Sequence, residues 1–258
     1  MAYRRRRCLV ILPTFNERAN LAQVVAGVRA AGPDVLVVDD GSPDGTGEVA
    51  DRLARSDPGV HVIHRAAKLG LGSAYVAGFL FGLERGYDFL VMMDADGSHS
   101  VAHLDALIEA SAASGGLSIG SRYARGGSTE GWRRARRLLS RTANVYCRSL
   151  LRIDVRDFTS GYRCIPRALL ERLAVADMFS DGYAFMIEMV HRCHHLGSPV
   201  VEVPIRFQDR YAGKSKVSRS EITKALALVP RLRWLNPSPA RHEDGLATVG
   251  QDPRPSSD

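Results

Sequence analysis

Apolar and polar positions follow two periodicities along the first half of the chain. Continuous apolar runs at residues 8–12 and 35–38 are typical of strands that are buried on both faces of a sheet. Between these runs, Leu21, Val24 and Val28 recur every three or four residues, which is the spacing of an amphipathic helix. Because strands and helices alternate, the pattern predicts an α/β fold, with a mostly parallel central sheet flanked by helices in a single domain.

The same signals predict the other elements, with Gly and Pro marking many of their ends. Further strands are expected at 60–63, 89–93 and 117–119, and an edge strand at 199–204. Helices are expected from an N-cap at Asn16 up to Gly32, and at 73–85, 101–113, 132–151, 182–195 and 221–235. Loops are expected at 120–131 and 206–220. One domain should therefore cover residues 1–235, and the Pro-, Ser-, Asp- and Gly-containing tail at 236–258 is predicted to be disordered.

Acidic residues follow three of the predicted strands. Glu17 comes shortly after the first strand, Asp39 and Asp40 end the second, and Asp94 and Asp96 follow the run at 89–93. Ligands of parallel sheets bind outside the carboxyl ends of the strands. We therefore expect these carboxylates, far apart in sequence, to meet at one edge of the sheet.

Asp94 and Asp96 are the candidate metal ligands. In an extended segment, side chains two residues apart share a face, so both carboxylates can hold one hard cation. Mg²⁺ favours a few carboxylates together with phosphate oxygens, and it can neutralise charge on a departing diphosphate. The alternative is a solvated Asp-Gly turn, which the strand context and the other acidic residues disfavour.

The other loops leave more than one interpretation open. Asp39 or Asp40 can accept hydrogen bonds from a nucleotide, while Asp44 can cap the next helix. The glycine-rich segment at 68–72 can bind phosphate at a helix N-terminus or serve close packing. No G-x-G-x-x-G fingerprint follows the first strand, which disfavours a dehydrogenase.

The formal net charge of +7 indicates a polyanionic partner. Much of the excess lies in the arginines between residues 122 and 148. Candidate phosphate-binding residues are Arg122, Arg136, Arg210, Lys214 and Lys216. A nucleic-acid-binding module is disfavoured, because no aromatic residues are interleaved with the basic ones and because it would leave the acidic edge unexplained.

Neither a membrane span nor a secretory signal is predicted. No apolar run approaches the roughly 20 residues that a spanning helix needs. The apolar stretch after the basic N-terminus, residues 8–12, is too short for a signal peptide. We therefore expect a cytoplasmic protein whose four cysteines are free thiols.

Eight motifs together resemble the inverting family 2 glycosyltransferases of the GT-A fold, over roughly residues 8 to 235. They are LPTFNER at 12–18, VDDGSPDGT at 38–46, KLGLG at 68–72, MDADGSH at 93–99, GSRY at 120–123, TSGYR at 159–163, GYAFMIEM at 182–189 and DRYAGKSK at 209–216. The early motifs are shared across the family, and the late ones are more specific to its lipid-phosphate mannose branch. The resemblance implies a GT-A catalytic domain that transfers mannose from GDP-mannose to a polyprenyl phosphate with inversion.

The resemblance also implies roles for individual residues. The guanosine pocket would be lined by Pro13, Phe15, Glu17, Val38 and Asp40. The metal, Mg²⁺ or Mn²⁺, and the diphosphate would be bound by Asp94, Ala95, Asp96 and Ser98. The nucleotide sugar would contact Arg122, Arg210 and Lys216, and the acceptor phosphate Arg136 and Ser140. Asp96, Arg122 and Arg136 are the candidate catalytic residues.

Two departures from the family pattern qualify these roles. Phe15 stands where many relatives have Tyr, and Ser98 stands where some have Gln, which is a better metal ligand. The residues alone do not separate guanine from uracil, so a UDP-sugar donor is the alternative. A lipid acceptor would explain the basic helix at 132–151, where Trp132 and Leu138–Leu139 give an interfacial pattern. The protein would then meet its lipid at the cytoplasmic face, on an anionic membrane surface or through a membrane-anchored partner protein.

Overall fold

The structure, a computed structural model, describes residues 6–178, 180–208 and 219–235. The predicted tail at 236–258, together with Arg210 and Lys216, lies outside these residues. The strands are β1 Cys8–Thr14, β2 Asp34–Asp39, β3 Val60–His64, β4 Phe89–Met92, β5 Leu117–Ser121, β6 Ser128–Thr129, β7 Arg163–Pro166, β8 Val200–Pro204 and β9 Arg206–Phe207. The helices are α1 Leu21–Ala31, α2 Thr46–Ser56, α3 Leu71–Glu84, α4 Leu104–Ser114, α5 Arg134–Leu151, α6 Arg167–Arg172, α7 Gly182–His195 and α8 Arg219–Leu235.

Seven strands form one twisted sheet in the order β3-β2-β1-β4-β7-β5-β8. The pairings β3–β2, β2–β1, β1–β4 and β5–β8 are parallel, whereas β7 runs antiparallel to both of its neighbours, β4 and β5. β6 and β9 form a separate parallel pair. The predicted mostly parallel sheet flanked by helices is confirmed, and β8 lies at its edge as predicted.

Each central strand contributes to two hydrophobic layers, because successive side chains point to opposite faces of the sheet. In β1, Leu9 and Ile11 pack with α3, α5 and α7, whereas Val10 and Leu12 pack with α1, α2 and α4. All four side chains are fully buried. The apolar runs are therefore continuous because both faces of the sheet are covered.

Helix α3 lies unusually close to the sheet. A Cβ atom added to Gly78 would come within 2.5 Å of the Ile11 side chain, and one added to Gly82 within 2.3 Å of Leu90. Larger residues at these positions would push the helix away from β1 and β4. This close packing fixes the distance between α3 and the sheet, and with it the position of the α3 N-terminus relative to the strand ends.

The parallel register brings the carboxyl ends of β1, β2 and β4 to one edge. Thr14 pairs with Asp39 at the end of β1 and β2, and Ile11 pairs with Met92 at the end of β4. The segments that follow, which carry Glu17, Asp40 and Asp94, therefore leave the sheet side by side. This convergence was predicted from the sequence and is confirmed.

Several element predictions were wrong. Strand β7 was not predicted, because fully buried Arg163 interrupts its apolar pattern. Helix α1 begins at Leu21 rather than after Asn16, since Asn16 has a left-handed backbone (φ 57°) and a turn follows it. Part of the loop predicted at 206–220 forms β9. Helix α5 begins at Arg134, so Trp132 precedes it.

The cysteine prediction is confirmed. Cys8, Cys147, Cys164 and Cys193 are all free and buried. Among the described residues, none of the helices is both long and apolar enough to cross a bilayer.

Candidate active site

A cavity of about 260 Å³ opens at the carboxyl ends of the strands. Ten of the predicted site residues line it: Pro13, Phe15, Glu17, Asp40, Asp94, Ala95, Asp96, Ser98, Arg122 and Arg136. Four of its carboxylates, which we call the acidic half, are Glu17, Asp40, Asp94 and Asp96. A second group, which ring and guanidinium contacts join and which we call the arginine half, is Arg122, Trp132, Arg136 and Phe207. One cavity wall therefore contains both carboxylates and guanidiniums.

Two other predicted residues do not line the cavity. Val38 is fully buried in the hydrophobic layer beside α3. Ser140, in α5, accepts a hydrogen bond from the Tyr123 hydroxyl at 2.7 Å. Both residues thus have contacts within the protein rather than on the cavity wall.

Asp39 and Asp40 have different surroundings although they are adjacent. Asp39 accepts hydrogen bonds from the hydroxyls of Thr14 and Ser42 at 3.0 and 2.6 Å, which ties the ends of β1 and β2 together. Asp40 lines the cavity and accepts a hydrogen bond from Arg65 Nε at 2.6 Å. Asp39 is therefore structural, and Asp40 is the member of the pair that a ligand can reach.

Glu17 is held from two sides. Its backbone N–H donates to Thr46 Oγ1 at 2.9 Å, and its carboxylate accepts from Asn20 Nδ2 at 2.9 Å. Thr46 begins α2, and its N–H donates to Asp44 Oδ1 at 3.0 Å, so Asp44 satisfies the first N–H of that helix although Gly45 occupies the N-cap position. The start of α2 thereby positions a carboxylate at the cavity.

The segment after β4 folds back on itself. Asp96 is 4% exposed, and its Oδ1 accepts a hydrogen bond from the Ser98 N–H at 3.0 Å. The Asp94 N–H donates to His99 Nδ1 at 3.0 Å, which requires neutral His99 to carry its proton on Nε2. Burial lowers the pKa of His99 below its ordinary value, although Asp94 acts in the opposite direction. Neutral His99 therefore serves as a support for the Asp94–Asp96 turn.

These residues fit a hard divalent cation. Asp94 and Asp96 supply two carboxylates on the cavity wall, and the buried Ser98 hydroxyl has no hydrogen-bond partner among the described residues. Among all residues that the structure describes, no group of three or more His, Cys, Asp or Glu side chains is placed to hold a metal. A cation bound there would thus take its other ligands from water or substrate, which is the coordination that Mg²⁺ favours.

The glycine-rich segment at 68–72 already has an anionic partner within the protein. Asp181 Oδ1 accepts a hydrogen bond from the Gly72 N–H at 2.6 Å, at the N-terminus of α3. A Cβ atom on Gly72 would lie 2.6 Å from the Ser180 carbonyl oxygen. This geometry favours the packing interpretation over phosphate binding. Lys68 nonetheless lines the cavity, with its ammonium 4.8 Å from the Phe15 ring centroid.

Arg122 is engaged by a buried carboxylate. Its Nε and Nη2 donate to the two Asp157 oxygens at 2.8 and 2.6 Å, and its backbone N–H donates to Asp157 at 3.0 Å. Burial opposes the charge of both groups, but their attraction outweighs it, so the pKa of Arg122 is raised and that of Asp157 is lowered. Arg122 therefore brings little net charge to the cavity.

Residues that the sequence did not indicate hold Asp157 in place. Its N–H donates to Glu202 Oε1 at 3.0 Å, and the next N–H, of Phe158, donates to Asn144 Oδ1 at 2.7 Å. Arg163 donates to the carbonyls of Phe158, Ser160 and Met186, and burial lowers the pKa of its guanidinium to about 10. A loop over 156–161 is thereby fixed from three elements.

Trp132 corrects the interfacial interpretation of this segment. Its side chain is buried at 8% exposure and lines the cavity. The guanidinium carbons of Arg136 and Arg122 lie 4.1 and 5.2 Å from its ring centroid, and Phe207 meets it edge to face. Trp132 therefore belongs to the site rather than to an outer surface.

Helix α5 exposes an apolar and basic face. On this face, Leu138 and Val145 are 68% and 62% exposed, whereas Leu139, 51% exposed, points about 100° away around the helix. Arg134 and Arg141 are exposed on the same helix, whose first turn carries the cavity residue Arg136. This face adjoins the arginine half.

Sequence reasoning missed several residues of the cavity wall. They include Trp132, Thr159, Asp181, Tyr183 and Phe207. Thr159 and Tyr183 lie in the quoted motifs TSGYR and GYAFMIEM, and Asp181 directly precedes the helix predicted at 182–195, so these positions were the available signals.

The chain resembles proteins of one known family. The model of the family "Glycosyl transferase family 2" matches residues 9–174. The chain is 52% identical over 223 residues to a polyprenol monophosphomannose synthase of Mycolicibacterium smegmatis, covering 85% of this chain and 84% of that protein. It is 46% identical over 234 residues to an undecaprenyl-phosphate mannosyltransferase of Micrococcus luteus, covering 88% and 96%.

Solved structures share the fold at low sequence identity. Glucosyl-3-phosphoglycerate synthase of Mycobacterium tuberculosis, solved with Mg²⁺ and UDP, superposes with a TM-score of 0.64 at 20% identity, covering 90% of this chain and 80% of that one. The mannosyltransferase PcManGT of Pyrobaculum calidifontis, solved with GDP-Man and Mn²⁺, gives 0.54 at 16% identity, covering 88% and 70%.

Proposed function

The chain belongs to glycosyl transferase family 2, and we propose on this premise that it transfers mannose from GDP-mannose to a polyprenyl phosphate with inversion. The observation that carries the proposal is one cavity whose lining combines the carboxylates of the acidic half with the guanidiniums of the arginine half. Each half suits one of two phosphate-bearing substrates. The names of the two relatives, a polyprenol monophosphomannose synthase and an undecaprenyl-phosphate mannosyltransferase, support mannose as the sugar and a lipid phosphate as the acceptor.

The donor would bind in the acidic half. Glu17 and Asp40 can accept hydrogen bonds from the nucleoside, and the Phe15 ring can pack against it. The neighbour of the same fold that holds GDP-Man supports a GDP donor. A UDP-sugar is the second candidate, supported by the neighbour that holds UDP. Thermal shift with GDP and with UDP would separate the two donors.

Asp94 and Asp96 would hold a divalent metal, Mg²⁺ or Mn²⁺, with the Ser98 hydroxyl nearby. When bound, that metal would neutralise charge on the donor diphosphate. The chain itself fixes the turn that carries both carboxylates, through the Ser98 and His99 contacts. Its contribution to the reaction would be a preformed pair of carboxylates that binds the cation.

The reaction needs no side-chain base. The second pKa of a phosphate monoester is about 6, so the acceptor is largely ionised near neutral pH. One acceptor oxygen forms a bond to the anomeric carbon while the bond to GDP breaks, and GDP leaves with the electron pair. Arg136 would orient the acceptor phosphate, while Arg122, paired with Asp157, would shape the wall around it.

The acceptor is a lipid, so the site must meet a bilayer. The exposed face of α5, with Leu138, Val145 and Arg134, suits the anionic cytoplasmic surface, directly or beside a membrane-anchored partner protein. Flotation with anionic liposomes should weaken in high salt and in the variant Leu138→Ser/Val145→Ser. Unchanged flotation in both conditions would count against surface binding.

The deciding experiment is transfer of radiolabel from GDP-mannose into a polyprenyl phosphate. We expect a labelled lipid whose formation stops with EDTA and returns with Mg²⁺ or Mn²⁺. UDP-glucose serves as the control donor. A labelled product from UDP-glucose alone, or full activity in EDTA, would contradict the proposed donor or the proposed metal, respectively.

A further inference from the structure

The indole of Trp132 joins the two arginines of the cavity wall. The Arg136 guanidinium lies 4.1 Å from its ring centroid and that of Arg122 lies 5.2 Å away. A guanidinium within about 6 Å of an indole is attracted to the ring electrostatically, and more strongly when it is desolvated. Trp132 is 8% exposed, so water screens these contacts weakly.

Within the part of the chain that the structure describes, no hydrogen bond fixes the orientation of this indole. Its Nε1 is buried without a hydrogen-bond partner among the described residues. A buried Trp usually finds a partner for its N–H, so the position of this ring is set by the faces and edges that it packs against. Those are the two guanidiniums and the ring of Phe207, which meets it at 5.5 Å and 74°.

The two arginines are attached to different parts of the fold. Arg122 is fixed by both carboxylate oxygens of Asp157, whether or not the indole is present. Arg136 sits in the first turn of α5 on a long side chain, and its guanidinium lies over the indole face. Fixing such a side chain costs rotamer entropy, which a stacked ring reduces at the moment of binding.

We propose that Trp132 is a positioning residue that holds the Arg136 guanidinium toward the acceptor phosphate, an inference that rests on the proposed transfer to a lipid phosphate. The ring face carries this role. The N–H does not, because no described residue accepts a hydrogen bond from it.

Two substitutions at Trp132 distinguish the role of the aromatic face from that of the indole N–H. Trp132→Phe keeps an aromatic face and removes the N–H, so the acceptor KM should stay within about 3-fold of the wild type. Trp132→Leu removes the face, and the acceptor KM should rise about 10-fold while the KM for GDP-mannose stays unchanged. Trp234→Leu, at the 85%-exposed second tryptophan, is the matched control. An unchanged acceptor KM in Trp132→Leu, or equal effects on both substrates, would overturn the proposal.

A double-mutant cycle tests whether the effect passes through Arg136. In an Arg136→Ala background, Trp132→Leu should have no further effect on the acceptor KM. A merely structural role would raise the KM by the same factor in both backgrounds, which would overturn the proposal. If the wild type transfers no mannose to polyprenyl phosphate, the proposed function fails instead, so the two failures are distinguishable.

Acceptor binding can also be measured with Trp132 unchanged, so that misfolding of a Trp132 variant cannot affect the result. The chain has two tryptophans, so Trp234→Phe leaves Trp132 as the sole indole fluorophore. A short-chain polyprenyl monophosphate should change this emission, and the change should be lost in Trp234→Phe/Arg136→Ala. An emission change that persists without Arg136, or that never occurs in the presence of active transfer, would overturn the coupling.

Discussion

The Asp94–Asp96 turn of the acidic half and the arginine half are held by different kinds of contact. In the turn, Asp96 accepts a hydrogen bond from the N–H of Ser98, two residues away, and the Asp94 N–H donates to His99, five residues away. In the arginine half, Arg122 is fixed by Asp157, 35 residues away, and the Asp157 N–H by Glu202, 45 residues away. The turn depends on contacts that are local in sequence, and the arginine half depends on the completed tertiary structure.

This difference determines whether a substitution should change ligand binding or the stability of the fold. The Asp96 carboxylate is supported by its own turn, so replacing it should alter ligand binding and leave the fold intact. A charge of the arginine half is buried and paired, so removing one partner leaves the other uncompensated. Changes in the first half should therefore appear in turnover, and those in the second in stability.

The largest effect is expected at the buried ion pair. Asp157→Ala leaves the Arg122 guanidinium buried without its carboxylate, and should lower the free energy of unfolding by about 3–5 kcal/mol. Denaturant unfolding followed by circular dichroism measures this. The double variant Arg122→Met/Asp157→Leu should recover much of the loss, because no buried charge remains. A loss below about 1 kcal/mol in Asp157→Ala would mean that the pair behaves like an exposed one.

A somewhat smaller effect is expected at Asp96. Asp96→Asn removes a charge that faces the leaving diphosphate, and should lower kcat by about 10²–10³-fold, or roughly 3–4 kcal/mol in the activation free energy. The melting temperature should stay close to that of the wild type. Asp51→Asn, on the surface, is the control for a charge change alone. Near-normal turnover in Asp96→Asn would remove Asp96 from the metal and diphosphate site.

The smallest effect concerns acid stability. Arg122 holds the pKa of Asp157 below its ordinary value, although burial acts in the opposite direction. Above the unfolded-state pKa of about 3.9, the ionised pair contributes its full stability, which is lost as pH falls through the lower folded pKa. The wild type should therefore lose more stability on acidification below about pH 4 than Arg122→Met/Asp157→Leu does. Parallel stability curves for both proteins would contradict the coupling.

The sequence predicted most of the acidic half for a physical reason. Strand ends in a parallel sheet share one edge, so the positions of Glu17, Asp40 and Asp94 after apolar runs were enough to bring them together. The same rule placed the sheet and most of its flanking helices. It could not give side-chain partners, which is why Asp39 and Asp40 were separated only by the structure.

The arginine half was harder to predict, because its chemistry depends on contacts between distant segments. Arg122 was identified as a phosphate ligand, but nothing near it in sequence reveals its pairing with Asp157. Strand β7 was missed for a related reason. A charged residue such as Arg163 within an apolar run indicates an exposed position, but here three backbone carbonyls accept hydrogen bonds from its guanidinium in the core. Trp132 beside basic residues resembled an interfacial helix until its burial was known.

The central claim is that each half serves one substrate, and Arg136→Ala tests it most directly. Initial rates of mannose transfer, measured against each substrate in turn, give both KM values. A lost charge-assisted contact of about 1.5–3 kcal/mol should raise the polyprenyl phosphate KM by about 10–100-fold and leave the GDP-mannose KM within about 2-fold. A raised GDP-mannose KM with an unchanged acceptor KM would contradict the division of the cavity.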